Sequence, residues 1–357
     1  MKKAGVIMMQ QAIERQGKEI GFSGVALVTN GKRHIAGAAF GYANRAEQRG
    51  NVIDTRFGIA SGCKLFTAIA ICQLVERGIL DFDMRLKECL DIDFQHIDEQ
   101  VTVHHLLTHS SGISDYFDEE VMDDFEALWK DTPMYRLRRL QDMLPLFADK
   151  PMKFSPGERF HYNNAGFVIL GLIIEQHTGL PFSDYIEQHL FQPCGMQNSG
   201  YFPLDRLPNN TALGYIDEED GSWRTNIYSI PVKGGADGGA FVTAPDMIRL
   251  WEGLSSHKLL SGKMTEMLLT PHIHCYENEF YGYGIWIRKS ENRIFKYHVM
   301  GYDPGVNVHS AWYPDTGILS VITSNRSSGA RNMLVAVENF LCDGGTANGT
   351  ACNELSE

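Results

Sequence analysis

Strand-type patterning lies at the two ends of this chain and is missing from most of its middle. Between residues 24 and 42 apolar and polar positions alternate around Asn30-Gly31, a pair that tolerates the positive φ of a tight hairpin turn. Strand-like runs return only after Gly234, at 283–289, 293–300, 306–313 and 319–324, and a helical pattern follows at about 330–341. The stretch from about 80 to 225 is richest in helical periodicity, clearest at 133–144 and 165–178, and is broken by Gly and Pro turns. The sheet is thus assembled from both ends of the chain around a helical block. That predicts an α+β fold, an antiparallel sheet flanked by helices with a mostly helical inserted domain. The sheet domain is expected from residues 1–80 and 230–345 and the helical domain from 81–229, with a Gly/Asn/Thr-rich tail at 346–357 that should fray.

At 357 residues the chain can bury a sizeable core in one or two domains, and its 43% hydrophobic and 21% charged content is ordinary for a globular enzyme. A formal net charge of -12 works against nonspecific attraction to nucleic acid or to anionic membranes. A small-molecule or short-peptide acyl substrate is the expected partner. Residues 1–22 carry two lysines but only a short apolar run, unlike a secretory signal, and the longest apolar run elsewhere, 167–174, is far shorter than the roughly 20 residues of a membrane span. The seven cysteines, at 63, 72, 89, 194, 275, 342 and 352, form no CxxC pair. Their odd number argues against a disulfide framework and for a reducing, cytoplasmic setting. The oligomeric state is not written in the sequence.

Ser61-Gly62-Cys63-Lys64 opens a helical pattern in which Leu65, Ile69, Cys72, Leu74 and Val75 recur until Gly78. Residues three apart on a helix share a face, which puts the amine beside the hydroxyl. A serine hydroxyl needs a nearby base to act as a nucleophile, and a helix N-terminus favours the negative charge that develops on its oxygen. Lysine can be that base only where burial or a second cation lowers its pKa. Taken alone, the spacing also fits a helix-capping serine with a surface lysine.

Tyr162-Asn163-Asn164 lies in a stretch, 154–171, that combines a Pro-Gly turn, a Y-x-N element and a helix start. With VTVHHLLTHSSGISDY at 101–116 and GGADGGAFVTAPDM at 234–247, this order of segments resembles the serine β-lactamase and D-alanyl-D-alanine carboxypeptidase (penicillin-binding protein) superfamily, particularly its class C-like and esterase branch. The matching segments span roughly residues 24–325. The resemblance implies a β-lactamase/transpeptidase-like fold with its site in the cleft between sheet and helical block. It also implies Ser61 as the acylated nucleophile, Lys64 and Tyr162 as its proton-transfer partners, Asn164 as the holder of a substrate carbonyl, and Tyr116 in the pocket wall. Such chemistry requires no metal or organic cofactor.

The third active-site element departs from the family's pattern. Where the family carries K-T-G or H-x-G on a strand beside the nucleophile, alignment on Pro304-Gly305 places Val299-Met300-Gly301. Val299 takes the position of the Lys or His; His298 comes one residue early and faces the other way unless a bulge rotates it inward. Without that cation, esters or amides lacking a free carboxylate are favoured over the activity of a D-Ala carboxypeptidase or weak β-lactamase. The expected oxyanion donors are the backbone N–H groups of Ser61 and of Tyr302, the residue after Gly301. His104, His105 and His109 lack an HExxH frame and supporting carboxylates, so no metal site is read there. The acidic run at 118–124 is read as a solvated face. No G-x-S-x-G is present, which removes a nucleophile elbow from consideration. The alternative of a different class is a catalytically silent member of the fold that binds a peptide or acyl ligand.

Overall fold

The computed structural model describes residues 3–291 and 293–342, and its centre is one eight-stranded antiparallel sheet. The strands are β1 (Gly24–Asn30), β2 (Arg33–Phe40), β3 (Ile273–Tyr276), β4 (Glu279–Tyr281), β5 (Trp286–Ser290), β6 (Arg293–Asp303), β7 (Val306–Tyr313) and β8 (Ile318–Ser324). Their order across the sheet is β2-β1-β8-β7-β6-β5-β4-β3. The first hairpin turns at Gly31, whose φ is +52°, and β1 then pairs with the last strand from Gly24↔Ser324 to Asn30↔Ile318. The two ends of the chain therefore close on each other in the middle of one sheet.

Alternation along the strands divides the interior into two layers, because successive side chains leave opposite faces. In β1, Val25 and Leu27 join the larger core with α2 (Lys64–Glu76), α3 (Asn164–Thr178) and α4 (Ala244–Ser255). Ala26 and Val28 face the smaller core made with α1 (Lys3–Glu19) and α5 (Ala330–Phe340). α3 is apolar and buried on nearly every side. It starts at Asn163, whose side chain accepts from Gly166 N, and stops at Gly179 with φ +69°, a left-handed residue that only glycine adopts cheaply. Among the described residues no single helix is long and apolar enough to cross a membrane.

The structure changes two of the expectations and adds a helix. Residues 133–144 form no α-helix: short 3₁₀ turns at Met134–Arg136 and Leu140–Leu146 lie on either side of a non-helical Leu137. Leu137, Leu140 and Met143 are the buried positions, and their spacing of three is the period of a 3₁₀ turn rather than of an α-helix. Cys342 is disulfide-bonded while Cys63, Cys72, Cys89, Cys194 and Cys275 are free thiols, so the odd count did not exclude a disulfide. α1, unmarked in the sequence reading, covers the outer face of the first hairpin. The tail at 346–357 lies outside the described residues.

On the α1/α5 side of the sheet sits a buried polar group of three. Glu338 Oε1 on α5 accepts from Lys296 Nζ of β6 at 2.9 Å and from Tyr313 OH of β7 at 2.6 Å. Removing one partner of such a pair leaves a buried charge uncompensated, whereas replacing both by apolar groups restores packing. Glu338→Ala is therefore expected to lower the unfolding free energy in urea titrations by about 3 kcal/mol or more. The double variant Lys296→Met/Glu338→Leu should regain most of that loss.

Candidate active site

Ser61 lies in a single 3₁₀ turn, Ala60–Cys63, that runs directly into α2. The turn is pinned on both sides: Ile59 N donates to Ala240 O at 2.9 Å and Gly239 N to Ala60 O at 3.2 Å. Ala60 carries a φ of +44°, strain that the surrounding bonds hold in place just before the nucleophile. The hydrogen bonds of the turn begin with Gly62 N to Ile59 O, which leaves the Ser61 N–H unclaimed within it. Gly301 of β6 presses against this turn from the sheet. A Cβ at that position would lie 2.2 Å from Ile59 O and 3.0 Å from Ser61 N, so only glycine allows the strand so close.

Lys64 follows one helical turn later and is 2% exposed. Its Nζ lies 2.9 Å from Ser61 Oγ, 2.7 Å from Asn164 Oδ1 and 2.7 Å from the carbonyl oxygen of Asp237. Desolvation lowers the pKa of this amine, and the negative charge of Asp237 partly opposes the shift. A neutral lysine has two N–H donors and one lone pair. The two hydrogens match the Asn164 and Asp237 oxygens, and the lone pair is then left to accept the Ser61 hydroxyl proton.

Tyr162 stands beside the same serine: burial pushes its phenol well above the ordinary pKa, and the Ser61 hydroxyl opposes that shift. The ring packs between His109, with centroids 4.4 Å apart, and Trp286, stacked at 6.1 Å. Lys64 Nζ stands 4.9 Å from the ring centroid. His109 is itself fixed, with Nδ1 accepting from Asn163 N at 3.0 Å, and burial holds it neutral. Of the three histidines set aside as ligands, His109 thus supports the phenol ring. His104 bonds Tyr283 OH, and His105 Nδ1 accepts from Thr102 N.

Asn164 opens α3 and is held by Asp115, which accepts from Asn164 N, Asn164 Nδ2, Ala165 N and Tyr116 N. Burial pushes the Asp115 carboxyl up to about 6 against the pull of those donors. The Asn164 oxygen is spent on Lys64, so only its second amide hydrogen remains for a ligand. Tyr116 is buried and donates its hydroxyl to Asp237 Oδ2. Asp115 and Asp237 were not singled out from the sequence; the signal for each was an acidic residue inside a segment otherwise made of small or apolar ones, ISDY and GGADGGAF.

A cavity of about 670 Å³ opens over this group, and its wall includes Ser61, Tyr116, Asn164, Asp237, Tyr302 and Asp303. Gly301, read from the sequence as a substrate-binding position, packs closely under the serine turn, and its neighbour Tyr302 belongs to the cavity wall. Tyr302 does line it, but the Tyr302 hydroxyl is tied to His309 Nε2 at 2.5 Å, and neighbours on a strand alternate in direction. What Tyr302 can offer beside Ser61 is its main chain. The pairing of β6 with β7 runs unbroken from Tyr297↔Trp312 to Asp303↔Val306, so no bulge turns His298 inward. His298 sits on the far face against Glu279 Oε2 at 3.1 Å, and Val299 is packed in the larger core without reaching the cavity. The acidic run is not simply solvated either. Asp118 and Glu120 are paired with Lys153, His161 and Arg159, and Glu119 lines the cavity rim.

The close approach at Gly301 can be tested directly. Gly301→Ala is expected to cost about 1–3 kcal/mol in stability through overpacking. It should also slow acylation of Ser61 more than the global loss explains, read as the rate of covalent labelling under conditions where the variant remains folded.

The geometry agrees with what the chain is similar to. It matches the Beta-lactamase family over residues 9–339. It is 27% identical over 323 residues to the putative penicillin-binding protein PbpX of Bacillus subtilis, covering 90% of this chain and 75% of that one. It is 31% identical over 198 residues to esterase EstB of Burkholderia gladioli, covering 54% and 50%. The crystal structure of a penicillin binding protein from Bacillus halodurans superimposes with a TM-score of 0.89 at 57% identity, covering 92% of this chain and 99% of that one. The match over residues 9–339, with a serine, a desolvated lysine and a phenol converging under a cleft, places the chain in the Beta-lactamase family as a serine hydrolase of that fold.

Proposed function

We propose that the protein hydrolyses an ester or amide lacking a free carboxylate, through an acyl-enzyme on Ser61. The observation that carries this reading is the Lys64 amine, stripped of water and held by Ser61 Oγ, Asn164 Oδ1 and Asp237 O. In the first half-reaction the Ser61 oxygen bonds to the carbonyl carbon while its proton passes to Lys64. Tyr162 then relays a proton to the leaving alcohol or amine as the C–O or C–N bond breaks. Water adds to the acyl carbon in the second half, giving up a proton along the same path, and Ser61 recovers its hydrogen. The developing oxyanion would be met by the N–H groups of Ser61 and Tyr302.

Similarity to penicillin-binding proteins supports a second reading, a D-Ala-terminated peptide or a β-lactam as substrate. Against it stands the strand beside the nucleophile: Val299 lies in the core and His298 on the opposite face, so neither offers a cation to a carboxylate. The cations that line the cavity, Arg138, Arg139 and Lys233, come from outside that strand, and the two arginines already pair with Asp205 and Asp142. The silent ligand-binding reading leaves the complete bonding of Lys64 without a purpose.

Two measurements test the hydrolase reading. Intact-protein mass after exposure to a fluorophosphonate should show one adduct on the wild type and none on Ser61→Ala; an unlabelled, well-folded wild type would support the silent reading. The pH profile supplies the second. Lys64 must be unprotonated to take the serine proton, so kcat/KM should rise with pH to a plateau whose midpoint lies below the ordinary lysine range. Because the Asp237 charge raises the Lys64 pKa, Asp237→Asn should move that rising limb to lower pH while keeping an acceptor for Tyr116.

A further inference from the structure

Asp303 is the last residue of β6 and lies two positions beyond Gly301, on the same face of the sheet as the serine turn. Its position is rigid. Pro304 and a left-handed Gly305, φ +73°, form the tight turn into β7, Asn226 Nδ2 donates to Pro304 O at 2.9 Å, and Gly305 N donates to Ser327 Oγ at 2.9 Å. The Asp303 side chain lines the cavity that holds Ser61, and among the described residues it has no hydrogen-bond or ion-pair partner. The charges that face it are Lys64, Asp237 and Glu119. Lys64 is already engaged with Ser61, Asn164 and the Asp237 carbonyl, and Asp237 and Glu119 are of like sign. Burial and the like charges push the Asp303 carboxyl up to about 7.

A carboxylate fixed in a substrate cavity with no partner of its own has one kind of natural complement, a hydrogen-bonding cation supplied by the ligand. We infer that Asp303 is a specificity residue that selects esters or amides bearing a protonated amine. This deepens the hydrolase reading and rests on it for the reaction, but not for the binding. It also gives a physical reason for the missing family cation: a cavity built to take an ammonium group beside Ser61 has no use for a carboxylate-binding residue on the same strand.

The test is made on Ser61→Ala, where turnover plays no part. Calorimetric titration at about pH 8, where ordinary carboxylates are charged and alkyl amines remain protonated, compares benzyl amides of ω-amino acids with those of the matching alkanoic acids. A second pair of series places the amine on the other side, as N-(ω-aminoalkyl)benzamides against N-alkylbenzamides. At least one ammonium series should bind about tenfold or more tightly than its neutral partner. Asp303→Asn in the same background should shrink that preference to about twofold or less, and Asp303→Glu should keep most of it. Equal affinities within both pairs of series overturn the proposal whatever the variants do, as does a preference that survives Asp303→Asn. Failure of the hydrolase reading shows separately, as absence of the fluorophosphonate adduct on the wild type.

Discussion

Burial of the Lys64 amine is the constraint around which the rest of this molecule is arranged. An ammonium group taken out of water is costly unless every donor is satisfied or the proton is surrendered. Here the satisfying atoms come from three distant stretches of chain: Ser61 on the adjoining turn, Asn164 at the head of α3, and the Asp237 carbonyl in the glycine-rich loop before α4. Each of these must be placed to within a few tenths of an ångström. The capping of α3 by Asp115, the hydrogen bond between Tyr116 and Asp237, and the bonds that pin the serine turn all serve that placement.

Close backbone approach makes the arrangement possible. Gly301 lets β6 rest on the serine turn, and Gly284, with φ +66°, does the same for the start of α2, where a Cβ would meet Lys64 O at 2.8 Å. Close contact on both sides, together with the hydrogen bonds that pin the turn, holds Ala60 in its left-handed conformation. Catalytic groups mounted on such a frame need little reorganisation as charge develops.

The two faces of β6 carry different chemistry. On the α1/α5 side, Lys296 pairs with Glu338, and His298, whose pKa burial lowers, bonds Glu279, so neither side chain is offered to the cleft. On the side of the serine the same strand offers Val299 to the core, Gly301 to the turn and Asp303 to the cavity. On that side the strand thus brings a carboxyl and no cation to the cavity. That is a property of the strand's phase and not of its composition.

Much of the fold could be read from local pattern. The Asn-Gly hairpin, the alternating runs after residue 280 and the fully apolar α3 each carry a period that side-chain geometry enforces, and the antiparallel sheet built from both ends of the chain follows from where those patterns lie. The S-x-x-K spacing likewise put Ser61 and Lys64 on one face of the same turn, and burial of the amine brought it against the serine. Residues 133–144 misled because apolar spacing of three fits a 3₁₀ turn as well as an α-helix face. What no local pattern contains is contact between segments a hundred or more residues apart. The bond from Lys64 to Asn164 and the Asp237 carbonyl beside it were settled only when the chain folded. The same holds for β6: its sequence left the direction of His298 and Val299 open, and the unbroken register with β7 from Tyr297 to Asp303 decided it, because side chains along that stretch must alternate between the two faces.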